Sequence, residues 1–98
     1  MATLNIALEE GFDNDQVIVT INGKRFERSG VTTKLQIGLA EMFETNVSDG
    51  TITIDVALPE RPLNGSYQVE AKDTVFVGIS AEGQTIRLRH SSQTFGYA

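Results

Sequence analysis

Apolar and polar residues alternate along most of this 98-residue chain. In residues 52–58 every second residue is apolar, and residues 17–21 and 86–90 show the same period. A period of two places the apolar side chains on one face of a pleated strand. The pattern predicts eight or nine short strands, with candidates at residues 3–8, 16–21, 24–28, 31–39, 43–47, 51–58, 66–71, 74–80 and 85–90.

Turn signals separate the predicted strands. Asn22-Gly23 favours a type I′ hairpin turn, because both residues tolerate positive φ. A two-residue loop places Val19 opposite Phe26, which keeps the apolar side chains on one face. Asp49-Gly50 predicts a second hairpin that pairs Val47 with Ile52, Thr45 with Ile54 and Phe43 with Val56, and Glu82-Gly83 predicts a third.

Two segments leave alternatives open. Residues 31–39 alternate as a strand, but Leu35, Leu39, Met42 and Phe43 also fit the apolar stripe of a short helix near residues 34–44. Gly38 would cost that helix about 1 kcal/mol, so we favour the strand. A two-residue turn at Lys72-Asp73 would place Val69 opposite Phe76 rather than Val75, which leaves the register there unresolved.

Many short strands with turns between them predict an all-β, antiparallel β-sandwich, in immunoglobulin-like or transthyretin-like style. The alternative is an α+β fold with the one helix near 34–44. A chain of this length predicts a single domain over residues 1–98. The predicted core comprises Leu4, Ile6, Val17, Val19, Ile21, Phe26, Leu35, Ile37, Leu39, Ile52, Ile54, Val56, Tyr67, Val69, Val75, Val77, Ile79, Ile86 and Leu88.

The stretch Val56-Ala-Leu58-Pro59, followed by Leu63-Asn-Gly-Ser-Tyr67-Gln-Val69-Glu, resembles the "L-P … G-x-Y-x-V" corner of fibronectin type III, transthyretin-like and related immunoglobulin-like domains. The resemblance implies that Tyr67 anchors a turn between two sheets. The tryptophan of the fibronectin pattern is absent, and His90 alone does not supply the several histidines of the transthyretin-like hydrolases. The resemblance therefore implies a fold and no activity.

Composition narrows the classes of partner. A net charge of −5 argues against binding to nucleic acid or to anionic membranes, since both reward a cationic surface. No apolar run has the length of a membrane span, and no signal peptide is visible at the start. The absence of cysteine excludes disulfides and favours a reducing compartment such as the cytoplasm.

No motif points to a reaction, so we expect no enzyme. The single histidine, His90, has neither a nucleophile nor a carboxylate arranged around it, and we expect it at the rim of the core. Asp13, Asn14 and Asp15 gather oxygen ligands in one loop and form a calcium hypothesis. We otherwise expect no cofactor.

The sequence favours a non-catalytic protein-interaction or structural module that binds another protein or itself. Ile18 and Phe76 carry this expectation, because each is apolar on the second face of its strand. The alternative is a small-ligand module that binds calcium or carbohydrate with loop residues 12–15. Aromatic side chains that stack on sugar rings would come from Phe12, or from Phe95 and Tyr97, although we expect the last two to fold back onto the core.

Overall fold

The computed structural model describes residues 1–93 and 95, and these residues form strands connected by turns and loops, with no helix. They contain no helix long and apolar enough to cross a membrane. Eight strands follow one another along the chain. They are β1 (Ala2–Leu8), β2 (Asp15–Ile21), β3 (Lys24–Val31), β4 (Glu41–Val47), β5 (Gly50–Leu58), β6 (Leu63–Ala71), β7 (Thr74–Glu82) and β8 (Thr85–Ser91).

The strands form two stacked four-stranded sheets, which confirms an all-β fold in two layers. Sheet A has the order β4-β1-β7-β8, and sheet B has the order β3-β2-β5-β6. All neighbours in sheet B are antiparallel, but β1 and β7 are parallel in sheet A. The prediction of a purely antiparallel fold is therefore wrong for sheet A. In sheet A, β1 lies between β4 and β7, and both of these strands are distant from β1 in the sequence.

The core lies between the sheets and contains the apolar residues of alternating positions. Ile52, Ile54 and Val56 on β5 are at most 1% exposed, as their parity predicts. Phe26, Tyr67 and Leu88 are only partly buried and pack against the edge of the core. The alternation therefore predicted the buried face of these strands correctly.

The Asn22-Gly23 turn joins β2 to β3 in the predicted register, with Val19 opposite Phe26. Asn22 has φ 48° and Gly23 has φ 86°, the left-handed conformations that the type I′ assignment requires. The hairpin of β7 and β8 also forms, but its two turn residues are Gly83 and Gln84 rather than the predicted Glu82 and Gly83, since Glu82 pairs with Thr85.

The predicted hairpin at Asp49-Gly50 is wrong. The strand before this turn, β4, pairs with β1 in sheet A, whereas β5 pairs with β2 and β6 in sheet B. Phe43, which the hairpin would place opposite Val56, is instead opposite Ile6. The turn at Lys72-Asp73 likewise carries the chain from sheet B to sheet A, so no hairpin register exists there.

Residues 32–40 form neither the predicted strand nor the alternative helix. They are a loop that joins sheet B to sheet A and contains a single bridge between Lys34 and Leu39. Leu35, predicted in the core, is 93% exposed, and Ile37 and Leu39 are half-buried. The alternation in this segment does not correspond to a buried face, because the chain must cross here between the two layers.

Aromatic side chains close both open sides of the sandwich. On one side the rings of Phe26 and Phe43 stack with centroids 5.0 Å apart and join the edges of β3 and β4. On the other side the Tyr67 hydroxyl donates a hydrogen bond to the Ile86 carbonyl oxygen, which joins β6 to β8. Tyr67 thus connects the two sheets, as the resemblance implied, but residues 59–62 connect two strands of one sheet.

Candidate binding site at the loop end

Three long connections lie together at one end of the sheets, which we call the loop end. They are residues 9–14, 32–40 and 59–62. The Thr33 hydroxyl accepts a hydrogen bond from the Phe12 amide at 3.1 Å and donates one to the Glu9 carbonyl oxygen at 2.7 Å. The opposite end carries three two-residue turns. The loop end is therefore the part of the fold with enough irregular backbone to build a site.

A buried carboxylate occupies the outer face of sheet A beside this end. The Glu9 side chain is 5% exposed and pairs with Arg89 through two parallel hydrogen bonds. Arg89 Nε lies 3.0 Å from Oε1 and Nη2 lies 2.6 Å from Oε2. The ring of Phe95 covers the Arg89 guanidinium, with 3.9 Å between its centroid and Cζ. This geometry holds the carboxylate in one orientation.

Gly78 provides the space that the Glu9 carboxylate occupies. A Cβ at this position would lie 2.2 Å from Glu9 Oε1 and 2.6 Å from Cδ. Gly78 is opposite Ala7 on β1 and Arg89 on β8, so it lies beneath the ion pair. Glycine inside a strand often marks a close approach of another group, and here that group is a carboxylate.

A second buried carboxylate, Asp15, pairs with Arg61 from the β5–β6 turn. The Asp15 side chain is 6% exposed. Arg61 Nε lies 3.0 Å from Oδ1, and Nη2 also donates to Oδ2 and to the Gly11 carbonyl oxygen. The hydrogen-bonded Arg61 lowers the pKa of Asp15, against the opposing effect of burial. The two pairs fasten residues 9–15 to both sheets.

A cleft of about 410 Å³ opens over the Glu9–Arg89 pair. Its uncharged lining comes from Gly78 and Ser80 of β7, from Leu88 of β8, and from Ile37 and Gly38 of the 32–40 loop. Its remaining lining carries both signs of charge, from Glu9, Glu10, Glu82, Arg87 and Arg89. Arg87 pairs with Glu82 at 2.9 Å, so two of these carboxylates already hold arginines.

Leu35 lies on the loop formed by residues 32–40, which we call the Leu35 loop. Buried Thr33 anchors one end, and the Ala40 amide donates to the Leu8 carbonyl oxygen at 2.7 Å at the other. Between them the Lys34 amide donates to the Leu39 carbonyl oxygen at 3.0 Å. The loop is thus hydrogen-bonded at both ends while Leu35 is directed to solvent.

The predicted calcium ligands Asp13, Asn14 and Asp15 line one open cleft together with Glu60 and Arg61. Asp13 and Asn14 are exposed, whereas both oxygens of Asp15 accept hydrogen bonds from Arg61. In residues 1–93 and 95 no group of three His, Cys, Asp or Glu side chains is placed to hold a metal ion. The calcium hypothesis stays a prediction, and its strongest ligand has a guanidinium partner.

The aromatic residues predicted for sugar stacking are placed differently. Phe12 is 3% exposed and belongs to the core, so its ring offers no face to a ligand. Phe95 packs on the exposed Arg89 guanidinium and not on the core as expected, and Tyr97 lies outside the described residues. His90 is exposed near the end of β8, where it lines a shallow cleft together with the buried core residue Val75.

Ile18 and Phe76 lie on opposite outer faces of the molecule. Ile18 belongs to β2 in sheet B and Phe76 to β7 in sheet A, and both are half-buried. Their neighbours Val17 and Val77 point into the core. The two residues therefore do not contribute to one surface.

Sequence reasoning missed the ion pairs at the loop end. Glu9 and Arg89 are 80 residues apart, and nothing local indicates that they meet. In the sequence, Arg89 has the outward parity of its predicted strand, and Arg61 lies in a proline-containing loop with no motif around it. The one available signal was Gly78, a glycine among β-branched residues in the middle of a predicted strand.

A scan against protein-family models and searches of curated proteins and of solved structures found no match to this chain.

Proposed function

We propose that this chain is a non-catalytic protein-interaction module that contacts its partner with the Leu35 loop and the adjoining start of β4. The supporting observation is that large exposed apolar side chains are concentrated in this part of the described residues. In the described residues these are Met1 at the chain start, Leu35 at 93% and Met42 at 49%. Both internal examples lie within eight residues of sequence: Leu35 is on the loop, whose ends are hydrogen-bonded, and Met42 is the second residue of β4.

The proposed contact combines an apolar anchor with a polar surround. Interfaces concentrate binding energy in a few well-packed side chains and surround them with polar groups. Leu35 would enter a pocket of the partner, and the half-buried Ile37 and Leu39 would contribute the adjacent apolar area. Anchoring of the loop by Thr33 reduces the conformational entropy that binding must remove.

The charge of the loop end indicates the partner's chemistry. The loop end with Asp15 and the adjoining β7–β8 hairpin, which are residues 9–15, 32–40, 59–62 and 82–89, carry six carboxylates and four cationic side chains, for a net charge of −2. We therefore propose a partner protein with an apolar pocket and a basic rim. Electrostatic complementarity of this kind raises the association rate and makes it dependent on salt.

The test compares the wild-type protein with L35S, M42S and a control variant, T85S, that alters an exposed residue on β8. The partner is captured on immobilised protein, purified, and titrated calorimetrically against each variant. We expect L35S to weaken binding by about tenfold or more, as truncation of an interface anchor does. T85S should bind as the wild type does. A purified partner that binds L35S with unchanged affinity, or the recovery of none, would contradict the proposal.

We also propose that the two sheets form an immunoglobulin-like sandwich, with Tyr67 as the residue that ties them together. The supporting observation is its hydrogen bond from β6 to the Ile86 carbonyl oxygen on β8. Y67F should lower the free energy of unfolding by about 0.5–1.5 kcal/mol in urea, the net contribution of such a bond. An unchanged stability would show that Tyr67 anchors nothing.

A further inference from the structure

We propose that two copies of this chain associate through the outer edge of β6, in an antiparallel pairing centred on Tyr67. In the described part of the chain β6 pairs with β5 on one side and with no strand on the other. Such an edge presents backbone donors and acceptors that a second strand can satisfy. The two copies would join their B sheets into one sheet of eight strands.

The four edge strands differ in how strongly charge protects them. β3 carries Lys24, Arg25, Glu27 and Arg28 among its eight residues. β4 carries two glutamates and β8 carries two arginines, each in seven residues. β6 has nine residues and one charge, Glu70 near its end. Charged side chains are a common means of preventing association at an edge, and β6 is the edge that lacks them.

Parity and length select the register. Residues opposite each other in an antiparallel pair share a face, so the outward residues of one copy must oppose outward residues of the other. Centring the pair on Tyr67 satisfies this condition and pairs all nine residues of Leu63–Ala71. Ser66 then lies opposite Gln68 of the second copy, and Asn64 lies opposite Glu70. No like charges meet in this arrangement.

In the registers that pair the most residues, the other edges bring like charges together when paired with themselves. Centring β8 on Leu88 places Arg87 opposite Arg89 of the second copy. Centring β4 on Glu44 places that carboxylate opposite itself. Centring β3 on Phe26 places Lys24 opposite Arg28 of the second copy. Centring it on Glu27 places Glu27 opposite Glu27, and centring it on Arg28 places Arg28 opposite Arg28. Like charges directly opposite one another destabilise a sheet, so β6 is the favoured edge.

The exposed side chains of β6 allow a test by charge. In S66K/Q68K, the added ammonium group at position 66 of each copy lies opposite the one at position 68 of the other copy. The symmetric pair therefore contains two such like-charge contacts. S66K/Q68E places each added ammonium group opposite a carboxylate in the same register. E44K/N46K adds positive charge to β4 in the same way and serves as the control on another edge. Circular dichroism establishes that each variant is folded.

Light scattering coupled to size exclusion and sedimentation equilibrium measure the association. We expect wild type to dimerise, S66K/Q68K to raise the dissociation constant at least tenfold, and S66K/Q68E to restore it. E44K/N46K and L35S should leave it unchanged, which separates this proposal from the proposed binding role of the Leu35 loop. A wild-type chain that remains monomeric at millimolar concentration overturns the proposal. So does failure of S66K/Q68E to restore the dimer, or dissociation caused by E44K/N46K.

Discussion

Replacement of Gly78 by alanine tests whether Gly78 provides the space that the buried Glu9 carboxylate occupies on the outer face of sheet A. The added Cβ would lie 2.2 Å from Glu9 Oε1, 2.6 Å from Cδ and 2.9 Å from Oε2. A rotation of the carboxylate does not relieve three contacts of this kind. The end of the Glu9 side chain must therefore shift, and we expect this shift to break its paired hydrogen bonds with Arg89.

The size and the sign of the effect follow from the burial of the two partners. A hydrogen bond to a charged group contributes about 1.5–3 kcal/mol to stability. Glu9 is 5% exposed but Arg89 is 57% exposed, so water recovers part of this loss. We expect G78A to lower the free energy of unfolding by about 1–3 kcal/mol. Without the clash, alanine in a strand would raise it by about 0.5–1 kcal/mol.

Urea unfolding followed by circular dichroism measures this effect, since the chain has no tryptophan. The comparison requires G78A, E9A and the double variant G78A/E9A. Once Glu9 is truncated the added Cβ meets no carboxylate, so the alanine substitution should become neutral or stabilising. The coupling energy between the two sites should then be about 1–4 kcal/mol. An equal cost of G78A in both backgrounds would refute the assignment of Gly78 as the space for Glu9.

Three further predictions use the same unfolding measurement. I54A should cost about 2–5 kcal/mol because Ile54 is fully buried, whereas L35A should change stability by less than about 0.5 kcal/mol; a cost under about 1 kcal/mol for I54A would contradict its placement. Arg61 lowers the folded-state pKa of Asp15 below its ordinary value of 3.8, so the unfolded state binds more protons in acid. The stabilisation is complete at neutral pH and is lost as the pH falls below about 5, and D15N should flatten this acid limb; an unchanged slope would argue against the pair. Calcium followed by chelator should leave Tm unchanged because Arg61 occupies the Asp15 oxygens, and a calcium-dependent rise would restore the prediction of a site.

The sequence predicted local structure where a turn and a hydrophobic face agreed. At Asn22-Gly23 the turn chemistry and the opposition of Val19 to Phe26 gave the observed register. The ion pairs at the loop end were not predictable in this way, because Asp15 and Arg61 are 46 residues apart and meet only after the sheets have stacked. Contacts of this kind depend on topology, and alternation specifies faces without specifying which strands are neighbours.

Two short turns carry the chain from one sheet to the other. They show when the alternation of buried and outward positions can distinguish a hairpin from a change of sheet. At Lys72-Asp73 a hairpin would oppose buried Val69 with the outward-facing Phe76, and this conflict is physically explained by the crossing from sheet B to sheet A. At Asp49-Gly50 the parity of the flanking strands was compatible with a hairpin, yet the chain crosses there too. Gly50 has φ 118° and Asp73 has φ 57°. Such positive φ values are compatible with a hairpin turn and with a turn that changes sheets, so the turn residues do not distinguish the two. When a hairpin register would place a buried residue opposite an outward-facing one, the short turn therefore more often marks a change of sheet. When the buried residues would oppose one another, a hairpin is permitted but not required. Burial against strands that are distant in sequence decides which strands pair.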